Sequence, residues 1–332
     1  MSFVSAVREG LIRAIRAPGL VALLWGVNLL AALPFAVVLG ASIHDDVASR
    51  PAAHRLESGF DVDWAGELDA GALGFEASFG PEIVGAGAFL RNLEAWWSGR
   101  LFTDPAGGWG LLAAGTVFAL VWIFLLGGVL HRLAQPRERS SVTLRPGGAG
   151  GARGGFGAAC GRFFFRFLRL AVLSAPLYLL IFWGARRGFG ILEDALRDVT
   201  SERTALLGTV LGALLVVLAL TLVKVVFDYA KIAVVLEGRR SALGAAWAGA
   251  RLVASRPLAA VGLYWSFALL ALLGLWLYGV VAPQAGPATW PAVLGALVLG
   301  QLALALRLGL RVATFGAETA LFGSMRSGSR FR

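Results

Sequence analysis

Along the chain, apolar residues gather in long blocks rather than in the short runs of a soluble core. Residues 17–43, 105–130 and 204–223 carry no charged side chain. Each block reaches the roughly 20 residues that a hydrocarbon layer of about 30 Å requires of a helix. Residues 257–306 make 50 positions without a charge, too many for one helix. The stretch APQAGPATWP at 282–291, with three prolines and Gly286, divides them, because proline removes a backbone donor and collides with the preceding turn. Residues 170–185 form a weaker window, which extends backwards through FFFRFLR if Arg166 and Arg169 snorkel to the headgroups. The pattern predicts an all-α polytopic membrane protein with six transmembrane helices.

Composition agrees with that reading. Hydrophobic residues make up 58% of the 332 positions and charged residues 15%, against about 45–50% and about 25% in soluble domains. The first apolar run is too long for the core of a signal peptide and no A-x-A site follows it closely, so a retained transmembrane helix is expected. A single cysteine, Cys160, leaves no disulfide framework and no multi-cysteine metal site.

Charge sets the orientation. The chain has 28 arginines and only 2 lysines, with a formal net charge of +10. With both termini placed inside, the inner segments hold 22 basic and 5 acidic residues and the outer loops 8 and 15. This asymmetry predicts a multi-pass protein of the bacterial inner (cytoplasmic) membrane with both termini cytoplasmic. The basic charge follows the membrane sides, so no nucleic-acid partner is expected. The chain reads as one integral membrane domain over 1–332. Within it lie an acidic extracytoplasmic loop at 44–107, with an amphipathic helix at 81–102, and a Gly/Arg-rich cytoplasmic linker at 134–156.

Three segments share a plan: a basic amphipathic stretch, then a hairpin of two spans. They are SAVREGLIRAIRAPGLVALLW from Ser5, FGAACGRFFFRFLRLAVLSAPLYLL from Phe156 and SALGAAWAGARLVASRPLAAVGLYW from Ser241. In the second, Arg162, Arg166 and Arg169 stand at i, i+4 and i+7 on one stripe, and Phe156, Cys160, Phe163 and Phe167 line another. This predicts helices lying in the inner interface, with arginines contacting anionic lipid; the alternative is that each stretch is the cytoplasmic extension of a span. Arg239 and Arg240 join that rim.

The segment FDYAKIAVVLEGRRSALGAAWAGARLVASRP, with the outer RLESGFDVDWAGE and the inner FGAACGRFFFRF, resembles a family of uncharacterised bacterial six-span membrane proteins. That family is distantly similar to the membrane domain of some glycerophosphodiester phosphodiesterases. The resemblance implies a multi-span fold over most of the chain. It brings no activity, and the phosphodiesterase catalytic pattern is absent.

Candidate chemistry is sparse. His44, Asp45, Asp46, His54, Glu57, Asp61 and Asp63 crowd the outer loop, without the spacing of a zinc or calcium motif. No metal and no cofactor are expected. RPGGAGGARGGFG at 145–157 lacks the Gly-Lys-Ser/Thr ending of a phosphate loop and reads as a linker. Gly208 and Gly212 form a GxxxG, which predicts a close helix contact.

The most informative stretch is VVFDYAKIAVVLEGRR at 225–240. About 20 residues from Thr204 exhaust the hydrocarbon layer near Val223, yet the helical pattern runs on to about Leu236. Lys224, Asp228 and Lys231 then form a charge ladder just beyond the inner boundary, at i, i+4 and i+7. Arg307 and Arg311 reach the same depth on the sixth span. The ladder is expected to sit at a wet boundary, where an exposed ion pair is worth about 0–1 kcal/mol.

No nucleophile–base pair appears at an informative spacing, so no catalytic residue is assigned and an enzyme is not expected. The reading is a membrane-embedded scaffold or accessory protein contacting anionic lipid or a partner protein. The alternative is a transporter or lipid-handling permease with a path between the hairpins, near Asn28 and Gln301.

Overall fold

The structure is a computed structural model that describes residues 3–48, 63–64, 66–67, 105–135, 155–197, 201–281 and 289–329. The expected helix at 81–102, most of the linker at 134–156 and the break at 282–288 lie outside these residues. Among the described residues eight helices follow in order: α1 (Phe3–Ile15), α2 (Pro18–Ala48), α3 (Pro105–Ala134), α4 (Phe156–Leu196), α5 (Glu202–Glu237), α6 (Ala242–Ser255), α7 (Pro257–Val281) and α8 (Trp290–Ser329). No strand occurs among the described residues. Six of these helices, α2, α3, α4, α5, α7 and α8, are long and apolar enough to cross a membrane.

The sequence explains where the helices break. Pro18 and Pro257 are the first residues of α2 and α7. At that position a missing N–H costs nothing and the fixed φ suits the helix. The prolines shared by the first and third segments therefore separate a short amphipathic helix, α1 or α6, from the long helix after it. Between α5 and α6 the chain stops on Gly238, at φ 67°, the left-handed conformation that glycine adopts most cheaply. The Ser241 side chain then accepts from the Gly244 N–H at 3.2 Å and starts α6.

The second segment differs. Phe156–Leu196 is one unbroken helix, so the arginine stripe is the extension of a long helix and not a separate interfacial one. The stripe's apolar companion face is covered by protein. Cys160, Phe163 and Phe167 are buried, and a methyl group on Gly128 would lie 2.7 Å from Cys160 Sγ. α8 also departs from expectation. It runs on to Ser329, more than 20 residues past the last position of the uncharged block, because its continuation has a face to bury.

The chain forms two compact units. One comprises residues 1–16, 120–267 and 312–332, the other 17–119 and 268–311. In the second unit the apolar side chains stay largely uncovered; among its described residues only Leu24, Trp64 and Leu308 are buried apolar side chains. Such a surface suits lipid, which solvates leucine as well as protein does. Within it, Leu306 packs over Gly274, 3.0 Å from where a methyl group would lie.

The first unit holds the core. Its buried side chains come from the end of α3, the start of α4, the ends of α5 and α8, the start of α7, and α1 and α6. Helices touch there by backbone. A methyl group on Gly10 of α1 would lie 2.4 Å from the Ala313 carbonyl oxygen of α8, and one on Gly249 of α6 would lie 2.3 Å from the Val226 oxygen of α5. On α3, a methyl on Gly127 would lie 3.1 Å from the Ala159 oxygen of α4. By contrast, Gly208 and Gly212 face the side chains of Phe189, Leu192 and Leu196, with nothing nearer than 3.3 Å. That GxxxG is a bed for side chains rather than a backbone contact.

These distances order the glycines by importance. Gly249→Ala must push α6 off α5 and should cost about 1–3 kcal/mol, read as a lowered midpoint of thermal unfolding in detergent. Gly208→Ala should leave the midpoint within error. Equal effects at the two sites would contradict the packing described.

Candidate functional site

α5 carries a charge at each of three positions on one face, and the core closes over the middle one. Asp228 is only 2% exposed. Lys224 Nζ donates to its Oδ2 at 2.5 Å and Lys231 Nζ to its Oδ1 at 2.8 Å. The lysine side chains are 37% and 22% exposed, so each ammonium reaches in from the rim. Lys224 Nζ also lies 5.3 Å from the centre of the Tyr264 ring of α7, within range of a cation–π contact. Tyr178 of α4 stands within electrostatic reach of Lys224 and Asp228.

The ladder forms as expected, but its surroundings do not match the expectation of a wet boundary. Asp228 is buried on the side of α5 away from the α6 contact at Val226 and Ala230. Arg307 and Arg311 are exposed and belong to the other compact unit, and each Asp228 oxygen already accepts from one lysine.

A second carboxylate belongs to the site and was missed in the sequence. Glu318 of α8 is fully buried, and among the described residues neither of its oxygens has a hydrogen-bond partner. Asp228, Lys224 and Lys231 all lie within electrostatic reach of it. Tyr229, also fully buried, stands within reach of both carboxylates, and its hydroxyl has no hydrogen-bond partner among the described residues. Glu318 looks like one of the polar residues of an inner tail. Its neighbours Gly316, Ala317 and Ala320 are the only hint that a helix packs closely there.

α1 holds this part of α8 in place. Arg13 contacts Gly316, its Nη1 donates to the Leu133 carbonyl of α3 at 3.0 Å, and its Nε pairs with Glu9 at 2.9 Å. A cation on the last carbonyls of α3 also meets the negative end of that helix.

The remaining candidates are dispersed. Arg162 and Arg169 are exposed and Arg166 is half-buried; the guanidinium carbons of Arg162 and Arg166 lie 5.6 and 5.8 Å from the Phe163 ring centre. Arg239 and Arg240 are exposed, and Arg239 pairs with Glu237 and donates to the Gly244 carbonyl. Asn28 donates to the Leu24 carbonyl and Gln301 accepts from the Trp25 indole, both at 2.8 Å. No known protein family, curated protein or solved structure matches the chain.

Burial changes what Asp228 contributes. Asp228→Asn leaves two ammonium groups facing a neutral amide. It should destabilise by about 3 kcal/mol, the low end for a broken buried pair because the lysines are partly exposed. Chemical unfolding in detergent measures this directly. A loss below about 1 kcal/mol would return the ladder to the class of exposed pairs.

Proposed function

We propose that the protein is a membrane-embedded scaffold or accessory subunit whose basic end contacts anionic lipid or a partner protein. The observation that carries this reading is the location of the packed core. The buried side chains gather where Arg162, Arg166, Arg169, Arg239 and Arg240 stand at the surface or half-covered beside it. A rigid end rimmed with guanidinium groups suits lipid phosphates or an acidic protein face.

The permease reading has less support. It needs polar groups free to meet a passenger, and both candidates for that task are engaged. The Asn28 amide bonds back to its own helix, and the Gln301 oxygen takes the Trp25 N–H. Both arrangements satisfy polar atoms within lipid, where an unpaired group is costly.

The proposal includes the orientation. The basic end faces the cytoplasm and the membrane is the bacterial inner one, on the 22-to-8 excess of basic residues. It also includes a threefold repeat, in which an amphipathic segment precedes each of three hairpins. The pairing of contacts supports this: α4 packs on α3, α6 on α5, and α1 on α8. Each amphipathic segment thereby meets the last helix of the hairpin preceding it, taken cyclically.

Two measurements test these statements. Replacing Arg162, Arg166 and Arg169 together by glutamine should reduce the anionic lipid that co-purifies with the protein, read by native mass spectrometry; an unchanged lipid profile would count against the lipid-contacting rim. For orientation, Cys160 is buried and serves poorly as a reporter. Arg240→Cys in a Cys160→Ala background places a thiol at an exposed site. An impermeant maleimide should label it only after the cells are opened. Labelling of intact cells would reverse the topology.

A further inference from the structure

We propose that Glu318 and the Lys224–Asp228–Lys231 ladder form one proton-binding site, in which a proton on Glu318 decides whether Lys231 stays on Asp228 or moves to Glu318. Three independent observations lead there. The first is the orphaned carboxyl. Glu318 is fully buried and neither oxygen has a hydrogen-bond partner among the described residues, whereas buried polar groups in native proteins are nearly always paired. An ionised carboxylate left in that state is unfavourable, and the two ammonium groups on Asp228 act on it electrostatically.

The second observation concerns residue choice. The chain uses arginine 28 times and lysine twice, and both lysines are on Asp228. Arginine's planar fork would lock onto one carboxylate. A lysine ammonium is a compact charge on a flexible stem and can change partners by rotating its last bonds. The exception to the chain's own habit falls where exchange would need it.

The third is positional. Gly10 meets the Ala313 oxygen and the Ala317 nitrogen; Gly249 meets the Val226 oxygen and the Ala230 nitrogen. These contacts equate Ala317 with Ala230, so Glu318 and Lys231 hold the same place on α8 and α5. Two equivalent positions of opposite charge are natural partners.

The balance of charge defines two states. With Glu318 protonated, Asp228 holds both ammonium groups and the four side chains carry one net positive charge. This is the arrangement in the structure. When Glu318 releases its proton to solvent, Lys231 bridges to it and the set becomes neutral. The other groups around the site are Tyr229 on α5, Tyr178 on α4 and Tyr264 on α7. α1, packed on α8, carries Glu9 and Arg13, already paired to each other, and α6, packed on α5, carries the exposed Arg251.

Infrared titration of the full-length protein in lipid nanodiscs, with glutamate labelled by carbon-13, reads the acid directly. The wild type should show a label-sensitive carboxylic-acid C=O band from a buried group, which disappears as the pH is raised. Glu318→Gln should lack the band at every pH. Lys231→Met removes the incoming cation, so the band should persist at alkaline pH values where the wild type has lost it. Absence of the band in the wild type, its survival in Glu318→Gln, or titration in Lys231→Met identical to wild type would each overturn the proposal.

Discussion

The contact of helix backbone with helix backbone at Gly10, Gly127 and Gly249 is the constraint on which the rest of the core depends. In lipid, two apolar helices gain nothing from the hydrophobic effect when they meet, so close van der Waals packing must hold them. The amphipathic segments differ from the spans in this respect. Each has an apolar face that needs cover and a charged face that needs water. Placing α1 and α6 against the long helices at small residues satisfies both requirements. A side chain larger than hydrogen at Gly10 or Gly249 would prop the helices apart and admit water between them.

Burial of the charges accompanies that closeness. Asp228 has no intrinsic reason to be dry; it is one residue of a helix extension that would otherwise end in solvent. α6 meets α5 at Val226 and Ala230 and α1 meets α8 at Ala313 and Ala317, while Asp228, on the other side of α5, and Glu318 are buried as well. The lysines reach Asp228 from the rim and keep part of their length exposed. Enclosure turns an exposed ladder of small energetic consequence into a set whose members depend on one another.

The sequence shows the six long helices, the ladder, and the prolines that start α2 and α7, because length, helical spacing and backbone chemistry are local properties. It does not show the covering of Asp228. Burial is a tertiary property, which the helical spacing of the ladder does not carry. Glu318 is hidden for the same reason. Twelve residues past the end of the uncharged block, it reads as part of a solvated tail, yet it is fully buried. The arginine stripe of α4, part of one continuous helix, is a different case. Its spacing is correct, but no periodicity distinguishes a helix lying on the membrane from one that continues through it.

The proposed repeat also bears on why the site has the composition it does. Where repeated units converge, identical residues would meet their own kind. Two lysines at the equivalent positions of α5 and α8 would repel, and two glutamates would leave carboxylates facing each other with one proton too few or too many. Lys231 on one helix and Glu318 on the other removes that conflict and leaves an attraction in its place. The glycine contacts at Gly10 and Gly249 are alike, while the residue just beyond each contacted alanine, Glu318 after Ala317 and Lys231 after Ala230, differs in charge.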